Sequence, residues 1–238
     1  MALLELRAVT AGYGPITILH GLSLALNAGE ITVVLGANGS GKSTALKTML
    51  GLTQVSDGAV LLEGQDVTTW PGYRRAAAGL GYVPQTQNVF AELTVRENLR
   101  MGAYLHPRTW SADAERVYDL FPALAERRDE RANLLSGGER RMLAIGLTLL
   151  LRPRCLLLDE PSSDLSPATV ELVFAAIARI HAEAGVTVLL VEQNVARALT
   201  LARRAVVLVR GRCALDVSAS ALDLGHLHRL FLEGNATP

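Results

Sequence analysis

The residues best suited to chemistry stand in one run of nine, from Gly36 to Thr44, with the sequence GANGSGKST. This run matches the pattern G-x-x-x-x-G-K-[ST], in which glycines let backbone N–H groups approach phosphate oxygens closely. In that pattern the Lys42 ammonium reaches the β- and γ-phosphates, and the Ser43 hydroxyl ligates Mg²⁺. The sequence therefore predicts a nucleoside triphosphate site formed by Gly36, Asn38, Gly39, Ser40, Gly41, Lys42, Ser43 and Thr44.

A pair of carboxylates follows a second apolar run further along the chain. Residues 155–158 are Cys-Leu-Leu-Leu, and Asp159 and Glu160 come directly after them. Ligands of open α/β sheets bind at the carboxyl ends of the strands, so both side chains are expected beside the phosphates. We assign Asp159 to a magnesium ion and Glu160 to the attacking water. A solvated acidic turn is the alternative interpretation.

A second anion-binding helix start is predicted at Ser136. This residue lies in the run Leu-Ser-Gly-Gly-Glu, which precedes a strongly helical stretch from Arg140 to Leu151. Ser136 can cap that helix, and Gly137 and Gly138 let backbone N–H groups approach an anion closely. Without an anion, the same residues would simply form a capped helix.

The elements that must hold these residues alternate between strands and helices. An apolar, β-branched strand over 31–35 precedes the phosphate loop, and a helical run over 43–49 follows it. From about Val95 to Asn133, apolar residues recur at helical spacing among charged ones, which predicts a helical insertion. Ser166 and Pro167 begin a helix that extends to Ala182. Further strands are predicted at 3–9, 16–26, 80–83, 155–158, 186–191 and 205–209, with a hairpin-type turn at 56–58.

Composition narrows the class of protein. Lys plus Arg and Asp plus Glu both number 23 in 238 residues, so the formal net charge is zero, which argues against a large basic surface for nucleic acid. The two cysteines, Cys155 and Cys213, are interpreted as small buried hydrophobes and not as a disulfide or metal site. Glu5 and Arg7 interrupt the apolar start, so no secretory signal is expected. Apolar stretches are far shorter than the ~20 residues that cross a bilayer, which predicts a soluble or peripheral protein.

Together these motifs resemble a known family. The phosphate loop, the LSGGE run and the CLLLDEP strand, whose Cys155 comes sixteen residues after Glu139, closely resemble the ATP-binding cassette (ABC) ATPases in order and spacing. The resemblance covers nearly the whole chain and implies ATP and Mg²⁺ as the bound groups. It also implies one α/β domain over 1–238 with the fold of a P-loop ABC ATPase. In that fold an N-terminal antiparallel β subdomain and a RecA-like mixed or parallel sheet core occupy 1–92 and 154–238. An α-helical subdomain carrying the LSGGE signature is inserted at about 93–153.

The same resemblance assigns roles to further residues. Tyr13 matches the aromatic residue that stacks on adenine, although a surface loop tyrosine would look the same. Gln85, which follows Tyr-Val-Pro, matches the glutamine that senses Mg²⁺ and the transmembrane partner. The segment 163–166 matches the loop of dimer contacts. The expected sets are Lys42, Glu160 and Gln193 for catalysis, Ser43, Gln85 and Asp159 for magnesium, and Ser136, Gly137, Gly138 and Glu139 for the nucleotide.

Two positions depart from the family's pattern. Gln193 stands where the family usually has a switch histidine, and Ser166 stands where many members carry Asp. A glutamine can hydrogen-bond a γ-phosphate but carries no positive charge. The runs LLVEQNVARAL, GGERRMLAIG and RLFLEG resemble one branch, the smaller ATPase subunit of branched-chain amino acid importers (the LivF type), in which this glutamine is usual.

That branch implies an importer ATPase for branched-chain amino acids or related small polar solutes such as urea and amides. The implied partners are a second ABC ATPase subunit, two transmembrane permeases and, indirectly, a substrate-binding protein, with no nucleic acid. Each ATP is expected between the Lys42 loop of one subunit and the Ser136 loop of the other. Gln85 and the segment 88–93 would transmit motion to the permease. The chain is expected at the cytoplasmic face of the cell membrane, and to be soluble when isolated. The alternatives are an ABC protein acting on ribosomes or DNA and a non-hydrolysing regulatory cassette.

Overall fold

A computed structural model of the chain describes residues 2–86 and 89–235. Within them the strands are β1 (Ala2–Tyr13), β2 (Ile16–Asn27), β3 (Ile31–Leu35), β4 (Gln54–Leu62), β5 (Gln65–Asp66), β6 (Leu80–Val83), β7 (Cys155–Asp159), β8 (Thr187–Val191), β9 (Arg204–Val209) and β10 (Arg212–Ser218). The α-helices are α1 (Lys42–Met49), α2 (Gly72–Ala77), α3 (Val95–Gly102), α4 (Trp110–Leu120), α5 (Pro122–Glu126), α6 (Gly137–Leu149), α7 (Pro167–Ala184), α8 (Val195–Leu201) and α9 (Leu224–Asn235). Short 3₁₀ turns occur at Ala103–Leu105, Ala132–Leu134 and Ala219–Ala221.

The larger sheet has six strands in the order β10-β9-β3-β8-β7-β6. β9, β3, β8, β7 and β6 run parallel, and β10 pairs antiparallel with β9. Every residue of β3, β7 and β8 is buried, as expected of parallel strands that are covered on both faces. Because parallel strands end at the same edge of a sheet, the phosphate loop, Asp159 and Gln193 share that edge.

The two faces of this sheet pack against different parts of the chain. On one face Leu156 and Leu158 join a core cluster with residues of the helices α3 to α7, among them Leu99. On the other face Leu157 and Leu189 join a second cluster with α1 and the smaller sheet. Successive residues of each strand thus point to opposite layers, which is the two-residue period of a β-strand.

The smaller sheet is antiparallel, with the strand order β2-β1-β4-β5. β1 and β2 overlap the strands predicted at 3–9 and 16–26, and β1 extends further, to Tyr13. The hairpin turn predicted at Ser56–Gly58 is wrong. These residues lie inside β4, and Asp57 pairs with Thr10 of β1 at a shift in register, which is a β-bulge. Gly58 has a φ of +82°, and a Cβ there would lie 2.4 Å from the Ala8 carbonyl oxygen. Gly58 therefore supplies the left-handed backbone conformation at this β-bulge.

Arg75, on α2, fixes the far end of the helix that follows the phosphate loop. Its side chain is fully buried, and its guanidinium donates to the carbonyl oxygens of Thr48 and Met49, both at 2.8 Å, in the last turn of α1. It also donates to the carbonyls of Trp70 and Thr68 at 3.1 and 2.8 Å. Burial lowers the pKa of Arg75 to about 10. A cation at a helix C-terminus complements the helix dipole and satisfies carbonyl groups that have no intrahelical partner.

The helices α3 to α6 lie between β6 and β7 in the chain, in the region predicted to be a helical insertion. Local capping explains where two of them begin. Thr94 and Glu97 form a capping box at α3, and Ser136 and Glu139 form another at α6. In the described ranges 2–86 and 89–235, no helix combines the length and the apolar character needed to cross a bilayer.

The two cysteines differ in exposure, and the prediction is correct for one of them. Cys155, at the start of β7, is fully buried, and burial raises its pKa to about 12. Cys213 is exposed on β10, so its interpretation as a buried hydrophobe is wrong. β10 is an edge strand of the larger sheet, and an edge strand has neighbours on one side only.

Candidate functional site

The phosphate loop connects the buried strand β3 to the first turn of α1. Gly39 and Gly41 have φ values of +78° and +102°, a backbone conformation that favours glycine. A Cβ on Gly36 would lie 2.3 Å from the Ser40 hydroxyl, so this position also requires the smallest residue. The chain therefore turns sharply enough to present the N-terminus of α1, with its unpaired N–H groups, to an anion.

Lys42 is a buried cation at the start of α1, with only 4% of its surface exposed. Its Nζ donates to the carbonyl oxygens of Gly36 and Ala37 at 2.9 and 3.1 Å, and it lies 3.9 Å from Glu160 Oε1. Burial lowers the pKa of Lys42, and the nearby carboxylates oppose that shift. The buried Ser40 hydroxyl has no hydrogen-bond partner among the described residues. A cation and an unpaired hydroxyl in a loop of backbone N–H groups fit a bound polyphosphate.

Asp159 ends β7 and is almost fully buried. One of its oxygens, Oδ1, accepts a hydrogen bond of 2.9 Å from the Ser43 hydroxyl, and Oδ2 lies 3.4 Å from the Tyr82 hydroxyl. Burial raises the pKa of Asp159, and the hydrogen bond from Ser43 opposes the shift. Hydroxyl and carboxylate oxygens are hard ligands of the kind Mg²⁺ prefers. No cluster of three or more His, Cys, Asp or Glu residues with metal-binding geometry occurs in the described part of the chain.

Three polar side chains approach the carboxylate of Glu160. Its Oε2 accepts hydrogen bonds from Gln193 Nε2 at 2.8 Å and from Gln85 Nε2 at 3.2 Å, while Lys42 lies near Oε1. The backbone of Glu160 has a φ of +47°, and its N–H donates to the Val191 carbonyl of β8 at 2.9 Å. The side chain is therefore fixed from both ends, by the neighbouring strand and by two amides.

A cleft of about 400 Å³ brings most of the predicted residues together. Its lining residues are Ile18, Asn38, Gly39, Gly41, Lys42, Ser43, Thr44, Gln85, Glu160 and Gln193. Tyr13 is not among them. It lies at the end of β1 with 42% of its surface exposed, and Ile18 of β2 borders the cleft instead. Stacking of adenine on Tyr13 stays a prediction.

The signature residues Ser136 to Glu139 do not line that cleft. Ser136 Oγ accepts from the Glu139 N–H at 3.2 Å, and Glu139 Oε2 accepts from the Ser136 N–H at 2.7 Å. A Cβ on Gly138 would lie 2.3 Å from the Thr169 methyl group of α7, so a glycine is needed for this close approach. The loop thus forms a second helix N-terminus, built on α6 and braced against α7.

The loop from Glu160 to Ser166 connects β7 to α7. Ser163 Oγ donates to the Glu160 carbonyl at 3.0 Å, and Ser166 caps α7 by accepting from the Thr169 N–H at 3.3 Å, as predicted for a helix start. Glu192, 2% exposed, accepts from the N–H and the hydroxyl of Ser162 at 2.9 and 2.8 Å. A buried carboxylate therefore holds the first residues of this loop.

Two positioning residues were missed by the sequence reasoning. Arg141, 5% exposed, donates to the carbonyls of Pro84 and Gln85, both at 2.8 Å. Asn98, fully buried, accepts from the Phe90 N–H at 2.7 Å and donates to the Phe90 carbonyl at 2.9 Å. Arg141 thus holds the backbone at Gln85, and Asn98 holds it at Phe90. Asn88, the first residue of the segment 88–93 predicted to transmit motion to a permease, lies outside the described residues. Neither residue carries a motif that would single it out.

Comparisons with known proteins find relatives that match most of the chain. A model of the family described as ABC transporter matches residues 19–163. The high-affinity branched-chain amino acid transport ATP-binding protein BraG of Pseudomonas aeruginosa is 42% identical over 221 residues, which cover 92% of this chain and 94% of that protein. The probable branched-chain amino acid transport ATP-binding protein LivF of Archaeoglobus fulgidus is 42% identical over 215 residues, covering 90% and 91%. The crystal structure of a nucleotide-free ATP-binding cassette from an ABC transporter superposes with a TM-score of 0.85 over both whole chains, at 23% identity.

Proposed function

The chain belongs to the ABC transporter family, and we propose that it is the ATP-hydrolysing subunit of an importer for branched-chain amino acids or related small polar solutes. The observation that carries the chemistry is the position of Glu160. Its carboxylate lies between Lys42 of the phosphate loop and the amides of Gln85 and Gln193. A base in that place can act on a water beside the terminal phosphate of ATP.

The phosphate loop binds the nucleotide in this proposal. Lys42 is held by the carbonyls of Gly36 and Ala37, and its ion pair with Glu160 Oε1 is long, at 3.9 Å. Its ammonium can therefore turn to the β- and γ-phosphates, while the Ser40 hydroxyl gains the partner that it lacks. Charge-assisted contacts of this kind contribute about 1.5–3 kcal/mol each.

Ser43 and Asp159 would hold a magnesium ion, with Gln85 beside them. Bound Mg²⁺ neutralises charge on the phosphates and polarises the bond that breaks. The hydroxyl of Ser43 now donates to Asp159, so the two oxygens are already close to each other. The burial of Asp159 keeps this oxygen pair away from bulk water.

Glu160 serves as the general base, and the two glutamines position it. Each amide donates to Oε2, which leaves Oε1 available for a proton from water. Gln193 stands where the family's switch histidine is usual, and it supplies the shorter of the two hydrogen bonds, 2.8 Å. A neutral amide in this place is compatible with hydrolysis, which disfavours the reading of a non-hydrolysing regulatory cassette.

A second cassette completes the site. The signature loop 136–139 is absent from the lining of the cleft that contains Lys42, so within one chain it leaves the γ-phosphate uncovered. Two cassettes packed head to tail would each supply a signature loop to the other's ATP. We expect the helical segment at about 93–153 to move with that loop as a subdomain, and Tyr13 to stack on adenine. Hydrolysis removes contacts to the γ-phosphate and so favours reopening of the pair.

The remaining partners follow from the family. Two transmembrane permeases would form the channel, a substrate-binding protein would deliver the solute, and this chain would dock at the cytoplasmic face of the membrane.

The proposed choice of transported solute is supported by the 42% identity to BraG and LivF. Uptake of radiolabelled leucine, urea and acetamide by cells with and without the gene would identify it, and unchanged uptake of all three would contradict this part of the proposal.

The hydrolytic step is tested by Glu160→Gln. The variant is expected to bind ATP, to hydrolyse it at least about a hundredfold more slowly, and to accumulate as an ATP-bound dimer. Steady-state phosphate release and light scattering measure the two effects. Glu115→Gln, an exposed carboxylate on α4, is the control and should behave as wild type. A Glu160→Gln variant that hydrolyses ATP at the normal rate would refute the assignment.

A further inference from the structure

The signature loop carries a negative charge at the point that is proposed to approach ATP. Glu139 is the last residue of the LSGGE run, and its Oε2 accepts a hydrogen bond of 2.7 Å from the Ser136 N–H. The carboxylate is therefore folded back against the N-terminus of α6. Its side chain is only 18% exposed, so water screens the charge weakly.

This charge opposes the proposed function of the loop. The terminal phosphates of ATP are anionic, and juxtaposing like charges across an interface costs several kcal/mol. The partial positive charge of the α6 N-terminus favours an anion, but Glu139 already occupies that end of the helix. Unless the carboxylate is neutralised, the loop would repel the nucleotide that it is meant to cover.

Arg127, which follows α5, pairs with the charged carboxylate of Glu139. Its guanidinium donates to Glu139 Oε2 at 2.8 Å and to Glu130 Oε2 at 2.7 Å, with a further bond of 3.3 Å to the Leu134 carbonyl. Its side chain is 31% exposed and holds three groups around the signature loop. Arg140, the neighbouring cation, donates instead to the Leu135 carbonyl.

The direction of the pKa shift of Glu139 agrees with this pairing. Burial alone would raise its pKa, but the hydrogen bonds from Ser136 and Arg127 lower the pKa below the ordinary value. The carboxylate is thus charged at neutral pH, and Arg127 supplies the opposite charge at hydrogen-bond distance.

We propose that Arg127 is a positioning residue of the signature loop, which cancels the charge of Glu139 and thereby lets the loop approach the triphosphate bound to a second cassette. This inference rests on the proposed function, because it concerns the same composite site. It concerns the approach of two cassettes and leaves the binding of ATP to a single phosphate loop unaffected.

The test measures ATP-dependent pairing of the isolated chain in the Glu160→Gln background with ATP and Mg²⁺. A second copy of the chain stands in for the second cassette, since it presents the same two faces. Arg127→Ala is expected to raise the protein concentration for half-maximal pairing at least about tenfold. Arg127→Ala combined with Glu139→Gln is expected to return that concentration to within about threefold of the parent, because the signature loop itself then carries no charge to cancel. Arg127→Lys keeps the positive charge but not the fork of donors, so it should pair at a lower protein concentration than Arg127→Ala does.

Arg128→Ala is the matched control. Its side chain is 58% exposed and lies 3.6 Å from Asp129, away from Glu139, so pairing should be unchanged. Binding of a fluorescent ATP analogue to each variant, measured at concentrations too low for pairing, should give the same Kd and so show that the phosphate loop is folded.

Three outcomes would overturn the inference. If Arg127→Ala pairs like the parent, Glu139 needs no neutralisation. If the double variant stays as weak as Arg127→Ala, the arginine acts as a scaffold for Glu130 and Leu134 instead. If the Glu160→Gln parent itself stays monomeric with ATP, the proposed function fails and this inference fails with it, a result distinct from the first two.

Discussion

The guanidinium of Arg141 and the backbone of Gln85 are joined by a hydrogen bond of 2.8 Å, although 56 residues separate them in the chain. Arg141 lies in the second turn of α6, the helix that begins with the signature loop. The side chain of Gln85 donates to Glu160 at 3.2 Å. The signature helix is therefore connected through two hydrogen bonds to the carboxylate that is proposed to activate water.

Replacing Arg141 should disturb hydrolysis more than nucleotide binding. Arg141→Ala leaves the carbonyls of Pro84 and Gln85 without their donor, and we expect ATP turnover to fall about tenfold or more because Gln85 loses its fixed position. The Kd of a fluorescent ATP analogue should change less than about twofold. Arg116→Ala, whose side chain is 82% exposed on α4, is the control. Equal losses of binding and turnover would contradict this role.

The hydroxyl of Tyr82 should strengthen binding of Mg²⁺ at the proposed site. Its hydroxyl lies 3.4 Å from Asp159 Oδ2. Because this contact with the carboxylate is long, we expect it to contribute only about 0.5–1.5 kcal/mol, so Tyr82→Phe should raise the half-saturating Mg²⁺ concentration two- to tenfold. Titration of Mg²⁺-dependent nucleotide binding measures the effect. Tyr118→Phe is the matched control, because the buried Tyr118 hydroxyl has no partner among the described residues. That variant should leave the Mg²⁺ dependence unchanged and raise the stability slightly. An identical Mg²⁺ titration for Tyr82→Phe and wild type would remove Tyr82 from the site.

Arg75 should be one of the residues on which folding depends most. Arg75→Met removes four hydrogen bonds to buried backbone carbonyls, and we expect a loss of about 3 kcal/mol or more in the free energy of unfolding. Urea denaturation gives the value. Its neighbour Arg74 is exposed and stacks 3.7 Å from the centroid of the Trp70 ring, so Arg74→Ala should cost only about 0.5–1 kcal/mol. Similar losses for the two variants would show that burial of the cation is not what matters.

Glu139 should make the protein sensitive to acid. Its pKa in the folded state lies below the ordinary value of about 4.3, so its stabilising hydrogen bonds are fully present above that pH and are lost as the pH falls through the folded pKa. Glu139→Ala should therefore destabilise the protein by about 1 kcal/mol at pH 7, and the difference should vanish in strong acid. Thermal melts from pH 7 to pH 3 measure it. A difference that stays constant over this range would show that charge plays no part.

The site residues that could be predicted from the sequence are those that belong to short, continuous motifs. The phosphate loop, Asp159 and Glu160 are each defined by neighbours in the chain, and the structure brings them to one edge of a parallel sheet. Arg141 and Asn98 were missed because their partners are fixed by tertiary packing. A buried arginine whose partners are backbone carbonyls produces no recognisable pattern in the sequence.

The two wrong structural predictions have a common physical cause. Asp57 and Gly58 supply a residue of positive φ, and both a hairpin turn and a bulge require one. Cys213 lies in an apolar run, but whether a strand is central or at an edge depends on the order of strands in the sheet. In each case the local chemistry is compatible with two structures, and the pairing of distant strands selects between them.

Glu160 adopts a left-handed conformation that costs an L-residue about 1–2 kcal/mol, whereas a glycine would adopt it freely. The rest of the fold must offset that penalty for as long as a side chain is kept at this place. Glu160→Gly would remove this penalty together with the carboxylate, so the fold would gain stability as the proposed general base is lost. Stability and the proposed catalysis therefore place opposite demands on this one position.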